Sequence, residues 1–282
     1  MIRIFSMIAF ILALVVLANA QQSEFPKSIH IKSLRRETAK LTYENGQAKE
    51  SPRVTLEETT YDQKGGAAEQ IVNNPDGTFK SKLGWESTYD SQGKEIARTY
   101  FGANRKPTSR STTIYDDNGR VTQVSFFGSE GPAIYNMLVS YDEKGNVSKE
   151  DRRNPDGTCR GFLEYAYDSK GNRTEEIYHN GKGAIYQRNV YSFDERGRMI
   201  TSSIYDGDGA SLIQELFTYD DKDNMIDASR YQRDTLLLSK SFKYDAFDDH
   251  GNWTKRRIAR KGTERGTPFS ENVVEYRTMT YY

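Results

Sequence analysis

The sequence predicts an all-β fold, a repetitive meander of antiparallel β-hairpins with about 16 strands that forms a coiled sheet or an incomplete barrel. Three observations predict it. One turn motif returns at a nearly constant period, and the segments between turns alternate large with small side chains. Turn signals also arrive every 12 to 14 residues, which is too often for helices of ordinary length.

The repeat begins with a tyrosine or phenylalanine followed by aspartate, and a glycine usually stands three residues after the aspartate. Successive copies begin 28, 26, 26, 26, 26, 26 and 28 residues apart. A fixed period in this range is typical of an array of one supersecondary unit. The motif residues of the eight copies are Tyr61, Asp62 and Gly65; Tyr89, Asp90 and Gly93; Tyr115, Asp116 and Gly119; Tyr141, Asp142 and Gly145; Tyr167, Asp168 and Gly171; Phe193, Asp194 and Gly197; Tyr219 and Asp220; and Phe247, Asp248 and Gly251.

Two kinds of turn alternate along the array. In the first, aspartate accepts hydrogen bonds from the backbone that follows it, and glycine takes the left-handed conformation that closes the hairpin. Asp223 replaces glycine in the seventh copy, and this turn should survive because aspartate tolerates that conformation. Two copies of the second turn carry Arg105 and Thr235 in place of glycine, and looser loops are expected there. The glycines of the other second turns are Gly77, Gly131, Gly157, Gly183 and Gly209.

Each repeat contributes two strands. Tyr135, Met137 and Val139 stand at alternate positions, so they share one face of a strand. The array is expected to span residues 61–254. Terminal units of a repeat protein differ from the middle ones because they must cap it, so residues 21–60 are predicted to form an N-terminal cap and residues 255–282 a capping hairpin.

The first twenty residues have the layout of a secretory signal peptide. Arg3 precedes an apolar run from residue 7 to 18, and Ala18-Asn19-Ala20 is a small-x-small cleavage site. An uncleaved N-terminal anchor is the alternative, although the run is shorter than the roughly 20 residues of a bilayer span. The mature chain is therefore expected in the periplasm or outside the cell, and not to span a membrane once residues 1–20 are removed.

Composition excludes some partners. The chain has 40 basic and 40 acidic residues, so it lacks the basic excess typical of nucleic-acid binders. Cys159 is the single cysteine, which excludes an internal disulfide, and it is interpreted as a small buried hydrophobe rather than as a crosslinking thiol.

No constellation of catalytic residues is present in the sequence. His30, His179 and His250 lie far apart, and no nucleophile stands beside a base, so neither enzymatic activity nor a cofactor or metal is expected. Asp-rich turns at residues 206–209 and 220–224 offer oxygens to calcium, but hairpin geometry already explains those aspartates.

Aromatic residues recur eleven or twelve positions after the repeat tyrosine, close to the second turn. Two interpretations stay open. Stacked across neighbouring strands, they form a platform for sugar rings or for a partner chain, or they form a ladder of cross-strand pairs worth about 0.2–1 kcal/mol each. The candidate ligand-binding residues are Tyr100, Phe101, Phe126, Phe127, Tyr178, Tyr205 and Tyr231.

The signature Tyr-Asp-x-x-Gly-Asn/Arg over residues 61–254 resembles the YD repeats of the Rhs family, most closely at Tyr141, Tyr167 and Tyr115. In large members of that family, such repeats form a β-sheet shell around a toxic C-terminal segment. This chain is short, and it shows neither a long domain after the array nor the self-cleaving aspartate motif. The resemblance therefore implies a free-standing exported YD-repeat protein without a toxin domain.

Taken together, these features predict a non-enzymatic binding module for an envelope glycan or protein. The alternatives are a purely structural envelope scaffold and an accessory component of a toxin or competition system, the latter resting on family analogy.

Overall fold

The computed structural model describes residues 31–264 and 266–282, and the regular structure in these ranges is entirely β-strand. The proposed signal peptide and the first part of the predicted N-terminal cap lie outside the described residues. The strands are β1 (Ile31–Glu44), β2 (Gln47–Glu50), β3 (Val54–Tyr61), β4 (Ala67–Asn73), β5 (Phe79–Tyr89), β6 (Glu95–Phe101), β7 (Pro107–Tyr115), β8 (Val121–Gly128), β9 (Ala133–Tyr141), β10 (Val147–Arg153), β11 (Cys159–Tyr167), β12 (Arg173–Asn180), β13 (Ile185–Phe193), β14 (Met199–Asp206), β15 (Ser211–Tyr219), β16 (Met225–Gln232), β17 (Thr235–Phe247), β18 (Trp253–Glu264) and β19 (Thr267–Tyr281).

Eighteen of these nineteen strands form a closed antiparallel barrel. From β3 to β19 each strand pairs with the next one in the chain, and β1 pairs with β3 on one side and β19 on the other. Leu34 of β1, for example, lies opposite both Thr59 and Met279. The antiparallel all-β meander is thus confirmed. The short strand β2 stands apart from the ring, since it pairs only with the end of β1.

The predicted incomplete barrel is wrong, and so is the count of about 16 strands. The N-terminal segment supplies β1, which is not part of any repeat, and β1 joins the two edges that the meander alone would leave open. An unpaired edge strand exposes a row of backbone hydrogen-bonding groups, and closure satisfies them.

The first turns share one hydrogen-bond pattern, which the fourth copy illustrates. The Asp142 N–H donates to the Asn146 carbonyl at 2.8 Å, and the Gly145 N–H donates to the Asp142 carbonyl at 3.0 Å. Asp142 Oδ1 also accepts from the backbone N–H groups of Lys144 and Asn146. Gly145 has φ 84°, which explains the glycine, and Asp223 takes the same conformation with φ 67°. The predicted survival of the seventh turn is confirmed.

The two second turns that lack glycine are as tight as the others, so the looser loops expected there are wrong. Arg105 itself adopts the left-handed conformation with φ 56° and keeps the usual hydrogen bonds to Gly102. The other loop shrinks to two residues, because Gln232 pairs directly with Thr235 and Arg233 takes φ 53°.

A β-bulge follows the first turn of each repeat, and the next repeat's tyrosine closes it. Val147 pairs with Tyr141 while Lys149 pairs with Ser140, so one residue of β10 is left over. The Tyr167 hydroxyl donates to the Val147 carbonyl oxygen at 2.8 Å. Equivalent bonds join the tyrosines at 115, 141 and 219 to carbonyl groups at 95, 121 and 199. In these four copies the tyrosine hydroxyl ties the repeat to the one before it, whereas the copies that begin with Phe193 and Phe247 have no such hydroxyl.

Replacing Tyr141 by phenylalanine should lower the free energy of unfolding by about 1 kcal/mol, because the Val121 carbonyl oxygen loses this donor. Urea denaturation measures the change. Tyr205→Phe is the matched control, since the Tyr205 hydroxyl bonds to no described residue. Equal losses in both variants would contradict this role of the repeat tyrosine.

Cross-strand pairing divides the side chains into two faces, and exposure shows which face lies inside. Met137 is 0% exposed, whereas its neighbour Leu138 is 36% exposed. Side chains converge inside a closed barrel, so the face that carries Met137 and the repeat tyrosines is the inner face. Met137 packs there with Val124, Phe126 and Val139. Elsewhere most inner side chains are half-buried, as along all of β15, so the inner wall borders solvent rather than a solid core.

The barrel closes at a seam between β1 and β19 that is covered from outside. Val274 is fully buried beside Ala39 and Tyr276. The Arg53 guanidinium lies over the Tyr276 ring, 3.6 Å from its centroid, and Glu50 accepts from the Tyr276 hydroxyl. That hydrogen bond, with help from Lys255 and Arg53, lowers the pKa of Glu50. Most of residues 255–282, predicted as the capping hairpin, lies in β18 and β19.

Candidate binding surface on the inner face of the barrel

The seven aromatic residues predicted to bind a ligand do not share one surface. Successive side chains of a strand point to opposite faces, so positions eleven and twelve after the repeat tyrosine are separated by the sheet itself. Tyr100, Phe126 and Tyr178 are buried on the inner face. The other four lie on the outer face, and all of them are half-buried: Phe101, Phe127, Tyr205 and Tyr231.

The outer aromatic residues make separate local contacts. The Phe127 ring lies under the Arg110 guanidinium at 3.9 Å, and these residues are direct cross-strand partners. Phe101 and Phe127 are separated by β7, and Tyr205 and Tyr231 are separated by β15. The outer face is thus no continuous aromatic platform in the described part of the chain.

Charged side chains occupy the outer face around much of the ring. Cross-strand ion pairs join Lys82 to Glu69 at 2.9 Å between β5 and β4, and Arg257 to Asp245 at 2.8 Å between β18 and β17. Arg188 and Glu175 form another such pair on β13 and β12. The outer wall therefore carries ion pairs, together with exposed apolar side chains such as Ile114, Ile134 and Leu138.

The inner face carries further aromatic rings beside Tyr100, Phe126 and Tyr178. Tyr135 stacks on Phe126 with centroids 4.5 Å apart, Trp85 lies directly opposite Tyr100, and Tyr186 contacts Tyr178 with centroids 6.0 Å apart. The period-two alternation counted back from each repeat tyrosine would have found Trp85 and Tyr135. Tyr186 escapes that count because a bulge interrupts the register of β13.

One inner hydroxyl has no partner. Tyr100 is 5% exposed, and its hydroxyl makes no hydrogen bond with any described residue. A buried polar group without a partner costs free energy, so such a group at the wall of a hollow interior indicates a place for water or a ligand atom.

Glu176 organises the inner face of β12 and β13. Its carboxylate is 5% exposed and accepts from the hydroxyls of Tyr178 at 2.8 Å and Tyr191 at 3.1 Å. Asn189 Nδ2 donates to it at 3.2 Å, and the Arg173 guanidinium donates at 2.9 Å. Burial, followed by the charge of Glu176, raises the pKa of both tyrosines. The four donors are thereby fixed on the inner wall.

Glu150 occupies the equivalent position one repeat earlier, nine residues after its tyrosine. It is 6% exposed, and burial raises its pKa, while a hydrogen bond from Tyr165 and the charge of Arg152 oppose part of the shift. Sequence reasoning missed this pair of carboxylates, although their spacing of one full period was the signal that they share a face.

The raised pKa of Glu150 makes stability depend on pH. The stabilisation that comes from protonated Glu150 is fully present below pH 4.5, the ordinary glutamate pKa, and is lost as the pH rises through the higher pKa of the folded state. Glu150→Gln should therefore stabilise the protein at neutral pH and flatten this part of the profile. Urea denaturation from about pH 4 to 8 measures it. Glu143→Gln, in an exposed turn, is the control, and a profile unchanged by Glu150→Gln would contradict the assignment.

The residues considered for other chemistry lie elsewhere. Cys159 is half-buried rather than buried, with its sulfur 3.8 Å from Asp151 Oδ1. In the Asp-rich turn considered for calcium, Asp206 Oδ1 accepts from the backbone N–H groups of Asp208 and Ala210, so this oxygen serves to close the turn. Within residues 31–264 and 266–282, no group of three or more His, Cys, Asp or Glu side chains is placed to hold a metal ion. Over the same ranges, no helix has the length and apolar character needed to cross a membrane.

Comparison with known proteins gives distant structural matches. No protein-family model matches the sequence, and no curated protein matches it significantly. A porin-like protein from Bacteroides uniformis matches with a TM-score of 0.43 and 9% identity, over 89% of this chain and 96% of that one. A DUF1329 family protein from Desulfovibrio piger matches with a TM-score of 0.25 and 13% identity, over 95% and 90% of the two chains. At these scores the likenesses carry no argument about function.

Proposed function

We propose that this chain is an exported YD-repeat protein without catalytic activity that binds an envelope glycan inside its barrel. The observation that carries the proposal is the inner wall, where tyrosine and tryptophan rings stand among fixed polar groups and most side chains remain half-exposed. The export step rests on the signal-peptide layout of residues 1–20.

The outer wall supports a location in water. A lipid-facing barrel carries an apolar band about 25 Å tall, and a basic residue at its middle costs about 2–4 kcal/mol. Here ion pairs such as Lys82–Glu69 and Arg257–Asp245 stand on that face. We therefore place the mature protein in the periplasm or outside the cell, not in a bilayer, and expect it to purify as a monodisperse species without detergent.

The inner wall suits a glycan for a chemical reason. A sugar ring has an apolar face that stacks on an aromatic ring and a rim of hydroxyl groups that need donors and acceptors. Binding sites of this kind combine aromatic surface with a few placed polar groups. Tyr186 is 43% exposed beside Tyr178, and Tyr178 in turn donates to the Glu176 carboxylate.

A glycan-binding screen of residues 21–282 tests the proposal, with variants of inner-face and outer-face aromatic residues. Tyr186→Leu should abolish stacking and lower the affinity for a glycan identified in the screen about tenfold or more. Phe101→Leu on the outer face should leave that affinity unchanged. Tyr100→Phe should leave stability unaltered or slightly higher, since its buried hydroxyl has no partner among the described residues. Tyr205→Phe is its control.

Three outcomes would contradict interior glycan binding. No saturable binding by a folded β-sheet protein would favour the structural scaffold. A loss of binding only in Phe101→Leu would move the site to the outer face. A hit among envelope proteins with no glycan hit would make the partner a protein.

A further inference from the structure

Lys240 is a cation without a counter-ion on the inner face of β17. Its cross-strand partners are Ala228 of β16 and Arg260 of β18, so the neighbour on one side is too small to cover it. Lys240 is half-buried, and within the described residues its amino group makes no ion pair or hydrogen bond. By contrast Lys243, three residues later on the outer face, is exposed.

The carboxylates near Lys240 are engaged by arginines. Arg256 holds Glu275 through two nitrogens, at 2.8 and 2.5 Å. Likewise, Arg230 contacts Glu215 at 2.8 Å and Arg260 contacts Glu271 at 2.8 Å. Around Lys240 the inner wall therefore carries three arginine–glutamate pairs and one further positive charge.

Lys240 is electrostatically strained. Burial lowers its pKa, and the positive charges of Arg260, Arg256 and Arg230 lower it further, while the carboxylate of Glu275 opposes part of the shift. A half-buried cation among like charges gains from any anion that reaches it, because the anion offsets both the lost hydration and the repulsion.

Aromatic side chains lie next to Lys240 and its neighbouring arginine–glutamate pairs. The Arg256 guanidinium lies over the Trp253 ring at 4.1 Å and over the Phe242 ring at 4.8 Å, and Phe242 is two residues from Lys240 on the same face. The Arg277 guanidinium also lies over the Trp253 ring, at 4.0 Å, so these rings serve to hold the arginines in place beside Lys240.

We propose that Lys240, flanked by Arg230 and Arg260, forms an anion-binding subsite on the inner wall, and that the glycan bound by this protein is acidic. This inference rests on the proposed interior binding function and specifies its ligand. A carboxylate or sulfate group of the sugar approaches the Lys240 amino group, and the flanking guanidinium groups contribute further donors.

Lys240→Met tests the subsite, with Lys243→Met as the matched control on the outer face. Calorimetric titration uses an oligogalacturonate, its neutral methyl ester and inorganic sulfate as probes. In the wild type the acidic oligosaccharide should bind at least tenfold more tightly than the ester. Lys240→Met should remove that preference, and Lys243→Met should keep it.

Stability supplies a second measurement. Lys240→Met removes a half-buried cation, so its melting temperature without ligand should rise. Sulfate or oligogalacturonate should raise the melting temperature of the wild type and of Lys243→Met, but not of Lys240→Met. A variant that is more stable and no longer responds to anions cannot be explained by misfolding.

The outcomes separate the two proposals. If the ester binds as well as the acid and Lys240→Met changes neither, the anion subsite is wrong while interior glycan binding stands. If no saccharide binds but the sulfate response depends on Lys240, the subsite stands and its anion comes from another source. Anion binding that is equal in all three proteins overturns the subsite.

Discussion

Replacing Glu176 by leucine is expected to destabilise the protein by about 3–5 kcal/mol. The substitution removes the acceptor shared by Tyr178, Tyr191 and the buried guanidinium of Arg173. A charge left unpaired in a low-dielectric site retains its desolvation cost without the attraction that balanced it. Urea denaturation at neutral pH measures the loss.

Glu175→Leu is the matched control, because Glu175 is the adjacent residue and points to the outer face. Its pair with Arg188 is partly exposed, with side-chain exposures of 23% and 51%. Exposed ion pairs contribute about 0–1 kcal/mol, so the control should change stability little. If both variants lose the same free energy, the division into inner and outer faces on β12 is contradicted.

The second large effect is expected at the seam. Val274→Asp places a charge in a fully buried outer-face cluster with Ala39, Leu41 and Tyr276. We expect a loss of about 3 kcal/mol or more, because the new carboxylate loses its hydration in the cluster, and Arg257, the cross-strand partner of Val274, is already paired with Asp245. The barrel should open first between β1 and β19.

Hydrogen exchange locates the effect. In Val274→Asp the backbone N–H groups of β1 and β19 should lose protection, while those of β9 to β12 keep it. Thr278→Asp, an exposed position on β19, is the control and should leave protection unchanged. Uniform loss of protection around the ring would contradict the expectation that the barrel opens first between β1 and β19.

Local chemistry made the hairpins predictable from sequence. Aspartate and glycine at fixed positions specify a turn within five residues, and the observed bonds of Asp142 and the φ of Gly145 follow from that chemistry alone. Even the seventh turn, with Asp223, could be predicted, because αL tolerance is a property of the single residue.

Closure could not be predicted in the same way. It depends on pairing between residues such as Ser33 and Thr280, which bond through their hydroxyls across 247 positions of sequence. β1 belongs to no repeat, so the period of the repeats does not indicate which strands pair with it. The total twist of a long meander is compatible with a spiral as well as with a ring.

The candidate site was half predictable. Aromatic enrichment near the second turn is visible in the sequence, but adjacent positions such as Phe126 and Phe127 face opposite sides, and a count of eleven or twelve mixes them. Lys240 and Glu176 were missed because charged residues in strands are ordinarily interpreted as solvent-facing. Only closure of the barrel makes the face that carries them an inner wall.

Site-directed cysteine labelling most directly tests the claim of a hollow, closed barrel. Gln187→Cys on the inner face and Arg188→Cys on the outer face of β13 are made in a Cys159→Ser background. A small methanethiosulfonate should label both, and a polymer-linked maleimide too large to enter the barrel should label only the outer cysteine. An inner cysteine closed to the small reagent would indicate a filled core, and one labelled by the polymer would indicate an open sheet.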